Sequence, residues 1–197
     1  AEEASPTVPM SESEGSRFYG RTMTSPIPNR SVRTLRSPIG VCAAIMPFNS
    51  PLAGIAWKVF PALLCGNACI FKPAEDVPHT GHVFVEILLE AGLPPEVIQL
   101  VHGQGETAGA AIVNHPLIPV ISFTGSTETG RIVGEVCGRM HKRLSLEMGG
   151  KNAMMVFDDA NLDLALDGVL WGAFGTTGQR CTATSRLLLQ DGIHDEV

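Results

Sequence analysis

Charge is sparse in this chain and unbalanced toward acid. Asp, Glu, Lys and Arg make up 17% of its 197 residues, with a formal net charge of −6. Without a basic excess, a nucleic-acid backbone or an anionic membrane is excluded as the main partner. Long apolar runs are also missing: none is long enough to span a bilayer. No secretory pattern of basic, apolar and small residues opens the chain. Paired cysteines are lacking as well. The five thiols, Cys42, Cys65, Cys69, Cys137 and Cys181, are odd in number and have no secretory context. They argue against a disulfide framework and for a reducing, cytoplasmic compartment. Cys65 and Cys69 are spaced loosely like metal ligands but have no second pair. They read as small buried core residues, and no metal site is expected. His79 and His82 read as the polar start of a helix. The 44% hydrophobic content is that of an ordinary globular protein.

Along the chain, residues 1–16 are acidic and rich in Ser and Pro, and they lack hydrophobic periodicity, which predicts a flexible leader. Residues 17–37 turn basic and Pro-interrupted and read as an extended arm. After Pro38, short apolar runs alternate with helix-length amphipathic segments. Strands are expected at Val41–Met46, Ala68–Phe71, Val97–Val101, Val120–Phe123, Leu144–Glu147, Ala153–Phe157 and Arg186–Leu189. The expected helices are Ile55–Leu64, His79–Ala91, Glu106–Asn114, Glu128–Gly138 and Asn161–Phe174. This alternation predicts an α/β fold with a parallel sheet covered by helices on both faces. Such sheets bind ligands at the carboxyl ends of their strands.

Five motifs stand out, and those carrying Asn49, Lys72 and Gly125 fall at such ends. Pro47-Phe-Asn-Ser50 follows the first strand, where Asn49 is either a turn residue or an amide donor. In Phe71-Lys-Pro-Ala-Glu75, Lys72 and Glu75 taken alone are a solvated charge pair worth little. Phe123-Thr-Gly-Ser-Thr-Glu-Thr-Gly130 joins a strand to a helix. Its hydroxyls and N–H groups suit either an N-cap or a phosphate. Leu144-Ser-Leu-Glu-Met-Gly-Gly-Lys-Asn152 sets Glu147 in an apolar, glycine-bounded run. Burial there would raise its pKa toward that of a proton-transfer group, whereas a salt bridge to Arg143 or Lys151 is the plainer role. Phe174-Gly-Thr-Thr-Gly-Gln-Arg-Cys-Thr182 places Cys181 among small residues beside Arg180, a cation that would favour the nucleophilic thiolate.

Together and in this order, the motifs resemble the aldehyde dehydrogenase superfamily, over about residue 18 to the end. The resemblance implies a Rossmann-like cofactor-binding domain at 38–150 and the start of a catalytic domain at 151–197. Cys181 would be the nucleophile and Glu147 the general base. Asn49 and the Cys181 N–H would form the oxyanion hole. The cofactor would be NAD, with NADP as the alternative, because a carboxylate at Glu75 repels a 2′-phosphate. Its site would comprise Ile45, Met46, Pro47, Phe48, Lys72, Glu75, Gly105, Phe123, Gly125, Ser126, Gly130, Met148 and Gly149. Lys72 and Glu75 would take the adenine ribose, and Gly125, Ser126 and Gly130 the pyrophosphate. Asn152 and Lys151 would stabilise the loop. Many members carry Trp where Phe48 stands.

The implied reaction is oxidation of a small aldehyde to the acid through a Cys thiohemiacetal and thioester. The run from Gly178 to Arg186 looks like that of semialdehyde-oxidising members, and Arg180 would either attract a substrate carboxylate or serve structure. Family members are longer at both ends and the whole protein is expected to be a homo-oligomer, so this chain reads as one portion of an enzyme. The competing readings are a nucleotide-binding module without turnover and a CoA-acylating relative.

Overall fold

The computed structural model describes residues 7–196, which divide into two compact units after Glu147. The first unit opens with helix α1 (Thr7–Gly15), where no regular structure is expected from the sequence. Pro9 falls in its first turn, where a missing N–H costs nothing, and Glu14 pairs with Arg17 at 3.1 Å just beyond its end. Residues 1–6 lie outside the described residues. The arm forms an antiparallel hairpin of β1 (Thr22–Thr24) and β2 (Ser31–Arg33), exposed along its whole length.

The main sheet contains β3 (Val41–Ile45), β4 (Ala68–Lys72), β5 (Ile98–Leu100), β6 (Val120–Gly125) and β7 (Arg143–Met148), in the order β5-β4-β3-β6-β7. β3 lies at the centre and pairs in parallel with β4 and β6, and β4 pairs in parallel with β5. Chain order reverses between β3 and β6, so the loops leaving these two strands flank the topological switch point.

Alternate side chains of β3 feed two cores. Ala44 and Met46 pack with Ile55, Val59, Cys69, Phe71 and Phe84 beneath α2 (Pro51–Leu64) and α3 (Pro78–Glu90). Ala43 and Ile45 pack with Ile112, Ile121, Phe123, Val133 and Cys137 beneath α4 (Ala110–Asn114) and α5 (Thr127–Arg139). Proline opens both α2 and α3, as its fixed φ favours. The helix expected from Glu106 begins instead as a π-turn at Gly105–Gly109, in which the Gly109 N–H reaches Gln104 O at 3.3 Å.

The second unit is a single βαβ crossover. β8 (Asn152–Val156) and β9 (Thr184–Leu189) pair in parallel and are linked by α6 (Leu162–Phe174). These strands form a separate two-stranded sheet.

Candidate functional site

In the first unit, strand register gathers most of the cofactor-binding residues expected from the sequence. Ile45 is the register partner of Lys72 on one side and of Phe123 on the other. The Met46 N–H donates to Lys72 O at 3.0 Å. Beyond β3 the chain turns through half-buried Pro47, exposed Phe48 and half-buried Asn49, then enters α2 at Ser50. Beyond β6, Gly125 allows a close approach: an added Cβ would stand 2.6 Å from Phe123 Cζ. Ser126 caps α5, its Oγ accepting from Thr129 N at 3.1 Å and lying 2.9 Å from Thr129 Oγ1. Of the two roles open to this motif, the N-cap is directly visible. Gly130, buried, follows in the first turn.

The charge pair expected of Lys72 and Glu75 forms, but its lysine is buried and only Glu75 meets solvent. Lys72 is 2% exposed, and its Nζ donates to Pro73 O at 2.9 Å and to Glu75 Oε2 at 3.0 Å. A long apolar stem lets lysine run through the core while its ammonium meets acceptors at the strand end. The Glu75 carboxyl is held below its ordinary value, first by its own backbone N–H, then by Lys72, with a further contribution from the Gly105 backbone. Ile45, Lys72, Glu75, Gly105 and Phe123 thus form one contiguous group.

Glu147 departs from expectation. It lies exposed on β7, whose residues alternate between exposed and half-buried. Leu144 and Leu146 take the face toward Gly134 of α5, which leaves Glu147 on the opposite face. β7 is an edge strand, and a carboxylate on its open side meets water. Among the described residues no ion pair joins Glu147 to Arg143 or Lys151, and its charge is felt instead at Lys58. Half-buried in α2, Lys58 donates to Ser122 Oγ at 2.6 Å. Desolvation lowers its pKa from the usual lysine value, and the Glu147 charge opposes that shift. Lys58 was missed in the sequence. Its only signal is one charge inside the otherwise apolar run Ile55–Leu64.

In the second unit, Met148 is half-buried and Gly149 exposed. Cys181 is exposed in the turn between α6 and β9. Its carbonyl accepts from Asn152 Nδ2 at 2.6 Å, and the same amide reaches Ala183 O at 3.2 Å. Asn152 therefore fixes the thiol-bearing loop to β8, and the Lys151 carbonyl accepts from Arg186. Before Cys181, Thr176, Thr177 and Gly178 all adopt left-handed backbone, with φ of 55, 54 and 69°.

Arg180 is turned toward the end of α6. Its Nη2 donates to Trp171 O at 2.8 Å, and its guanidinium lies 5.0 Å from the Trp171 ring centroid. It thus adds a second donor to a carbonyl near the C-terminal end of α6 that also accepts from the Gly175 N–H. Gly175 makes room: a Cβ there would stand 2.9 Å from the Trp171 ring and 3.0 Å from Arg180 Nη2. Of the two roles weighed for Arg180, this engagement favours the structural one over a carboxylate receptor.

Of the remaining thiols, Cys69 is buried as expected and Cys137 is buried too, whereas Cys65 is exposed at the end of α2. His79 and His82 stack in the first turns of α3, and His82 pairs with Glu86 at 3.3 Å. Among the described residues no His, Cys, Asp and Glu cluster could hold a metal ion, and no helix is long and apolar enough to cross a membrane.

The sequence pattern of the aldehyde dehydrogenase family matches residues 2–197. Phenylacetaldehyde dehydrogenase of Pseudomonas fluorescens is 48% identical over 164 residues, which is 83% of this chain and 33% of that protein. An E. coli NADP-dependent enzyme superposes with a TM-score of 0.94 at 39% identity, covering 98% of this chain and 40% of that one. An aldehyde dehydrogenase from Bacillus cereus in complex with NAD+ gives a TM-score of 0.91 at 34% identity, covering 96% and 38%. The chain spans about a third of the length of the curated relatives it matches.

Proposed function

This chain belongs to the aldehyde dehydrogenase family, and from that premise we propose that it is the cofactor-binding and nucleophile-bearing portion of an enzyme that oxidises an aldehyde to its acid. The observation that carries the proposal is the Cys181 loop, which holds one exposed thiol on a backbone pinned by Asn152.

In this reading the Cys181 thiolate attacks the aldehyde carbon, forming a thiohemiacetal. The Asn49 amide and the Cys181 N–H donate to the resulting oxyanion. Bound NAD would supply the hydride acceptor for this carbon, which would leave a thioester on Cys181. Glu147 then removes a proton from water, which hydrolyses the thioester and regenerates the thiol. A water-facing Glu147 favours hydrolysis over acyl transfer to CoA.

The residues at the switch point fit NAD. The N-terminus of α5, capped by Ser126 and approached through Gly125, would receive the pyrophosphate. Lys72 and Glu75 would meet the ribose hydroxyls, with Ile45, Met46, Pro47, Phe48, Gly105, Phe123, Gly130, Met148 and Gly149 lining the site. A Glu75 carboxylate held ionised would repel a 2′-phosphate, so NAD is the cofactor proposed and NADP the alternative. The semialdehyde assignment rests on the run Gly178–Arg186 alone, now that Arg180 is engaged elsewhere. A cytoplasmic homo-oligomer completes the proposal, and the free thiols suit that reducing setting.

The test uses the enzyme carrying this portion. Cys181→Ala is expected to abolish turnover and retain NAD binding in a titration. Glu147→Gln is expected to leave a single burst of NADH with no steady state. Full activity of either variant refutes the role given to that residue. A protein that binds NAD but never reduces it with any aldehyde is a nucleotide-binding module instead.

A further inference from the structure

Three of the five cysteines converge at the end of the sheet opposite the switch point. Cys42, the second residue of β3, is the register partner of Cys69 on β4, so both side chains leave the same face of adjacent parallel strands. Cys65 ends α2, immediately before the turn that leads into β4. That turn is clamped to Ile39 and Gly40, the two residues that lead into β3. Asn67 Oδ1 accepts from Ile39 N at 2.7 Å and Gly40 N at 3.1 Å, its Nδ2 donates to Ala62 O at 3.1 Å, and Ala68 N donates to Gly40 O at 2.9 Å. Asn67 is buried, and both ends of its side-chain amide are engaged by these bonds. The clamp fixes the Cys65 turn against the strand that carries Cys42.

The three thiols differ in access. Cys65 is exposed, Cys42 half-buried and Cys69 1% exposed. Burial pushes the Cys69 thiol up to about 12, with a smaller contribution from Cys42. Burial also raises Cys42, and the charge of Cys65 adds to that shift. The charge of Cys65 thus acts on Cys42 from across the clamped turn. Cys69 is withdrawn from solution chemistry by its burial.

We infer that Cys65 and Cys42 form a peroxide-sensitive dithiol, with exposed Cys65 taking the oxidant and neighbouring Cys42 resolving it. The Cys65 thiolate attacks a peroxide oxygen, the O–O bond breaks, and hydroxide leaves. Sulfur is oxidised to a sulfenic acid and the peroxide is reduced. The Cys42 thiolate then attacks the sulfenic sulfur. An S–S bond forms, the S–O bond breaks, and the departing hydroxide with the Cys42 proton gives water. A thiol reductant reverses the bond. The product ties the end of α2 to the start of β3. This site is independent of the catalytic reading, which uses only Cys181.

The experiment treats the purified chain with hydrogen peroxide, blocks residual thiols by alkylation and maps peptides without reduction. The expected result is a peptide pair joining Cys42 to Cys65, lighter than the two free peptides by two hydrogen masses and separated again by dithiothreitol. The link should persist in Cys69→Ser and Cys181→Ser. In Cys42→Ser, Cys65 should proceed to the sulfinic acid. The inference is overturned if the unsubstituted chain yields Cys65 sulfinic acid beside unmodified Cys42, a link from Cys65 to Cys69 or Cys181, or two unreacted thiols. Diamide, which forms disulfides without a sulfenic stage, gives a second measurement on the unsubstituted chain. It should yield the same Cys42–Cys65 pair, and a different pair refutes the assignment.

Discussion

Glu75 shows how a single carboxylate ties stability to pH. Its carboxyl is held below the ordinary 4.5 chiefly by its own backbone N–H and by Lys72. A depressed native pKa means that the unfolded chain takes up the proton first as acid is added. The contribution is therefore complete above about 4.5 and is lost as pH falls through the lower native value. Glu75→Gln should lower the urea midpoint at pH 7, and the gap from the unsubstituted chain should narrow as pH falls from 4.5 toward 3. A gap unchanged across that range would remove Glu75 from the account. The pairing with Lys72 was legible from sequence but the burial of that lysine was not, since Lys-Pro-Ala-Glu reads as a surface turn. Only the register of β4 between β3 and β5 shows that the lysine stem is enclosed. Lys58 and Arg180 were obscured in the same way: sequence gives a long side chain's charge but not the direction in which its stem runs.

At the level of elements, the strand-to-helix junction at Ser126 allows capping to be separated from anion binding. Asp caps a helix about as well as Ser, yet it places a negative charge where the pyrophosphate is proposed to lie. Ser126→Asp should leave the denaturation midpoint unchanged and weaken NAD binding about tenfold or more, equivalent to about 1.4 kcal/mol. Ser126→Ala should lose about 1 kcal/mol of stability. Tight NAD binding by Ser126→Asp would show that this N-terminus holds no phosphate. The main elements were readable because strands buried on both faces appear as bare apolar runs, as in Cys42–Ile45 and Cys69–Phe71. The exposure of Glu147 was not, because an apolar run does not reveal that its strand lies at an edge with one face open. Helix α1 and the π-turn at Gly105 escaped for another reason. Neither carries an apolar stripe of helical period, so local geometry had to decide them.

Across the molecule, burial is unevenly shared. The first unit surrounds its sheet with two cores. In the second unit α6 buries no residue, and Met155, Phe157, Trp171, Phe174 and Leu188 all stand exposed. Local opening follows buried apolar contact. Amides of β8, β9 and α6 should therefore exchange with deuterium well before those of β3, β4 and β6. Equal protection in the two units would contradict this ordering.

The left-handed run Thr176–Thr177–Gly178 inverts the usual meaning of a mild substitution. A β-branched residue at positive φ carries about 1–2 kcal/mol of steric cost, and glycine's extra chain freedom costs roughly 0.5–1 kcal/mol. At Thr176 the two nearly offset, so glycine should be the gentlest replacement there. Valine, which keeps the threonine shape, retains the whole steric cost and loses the hydroxyl. For anyone varying the approach to Cys181, tolerance at these positions is set by backbone handedness, and side-chain likeness is a poor guide. A small library at Thr176, ranked by thermal midpoint, should place Gly and Asn above Val and Ile.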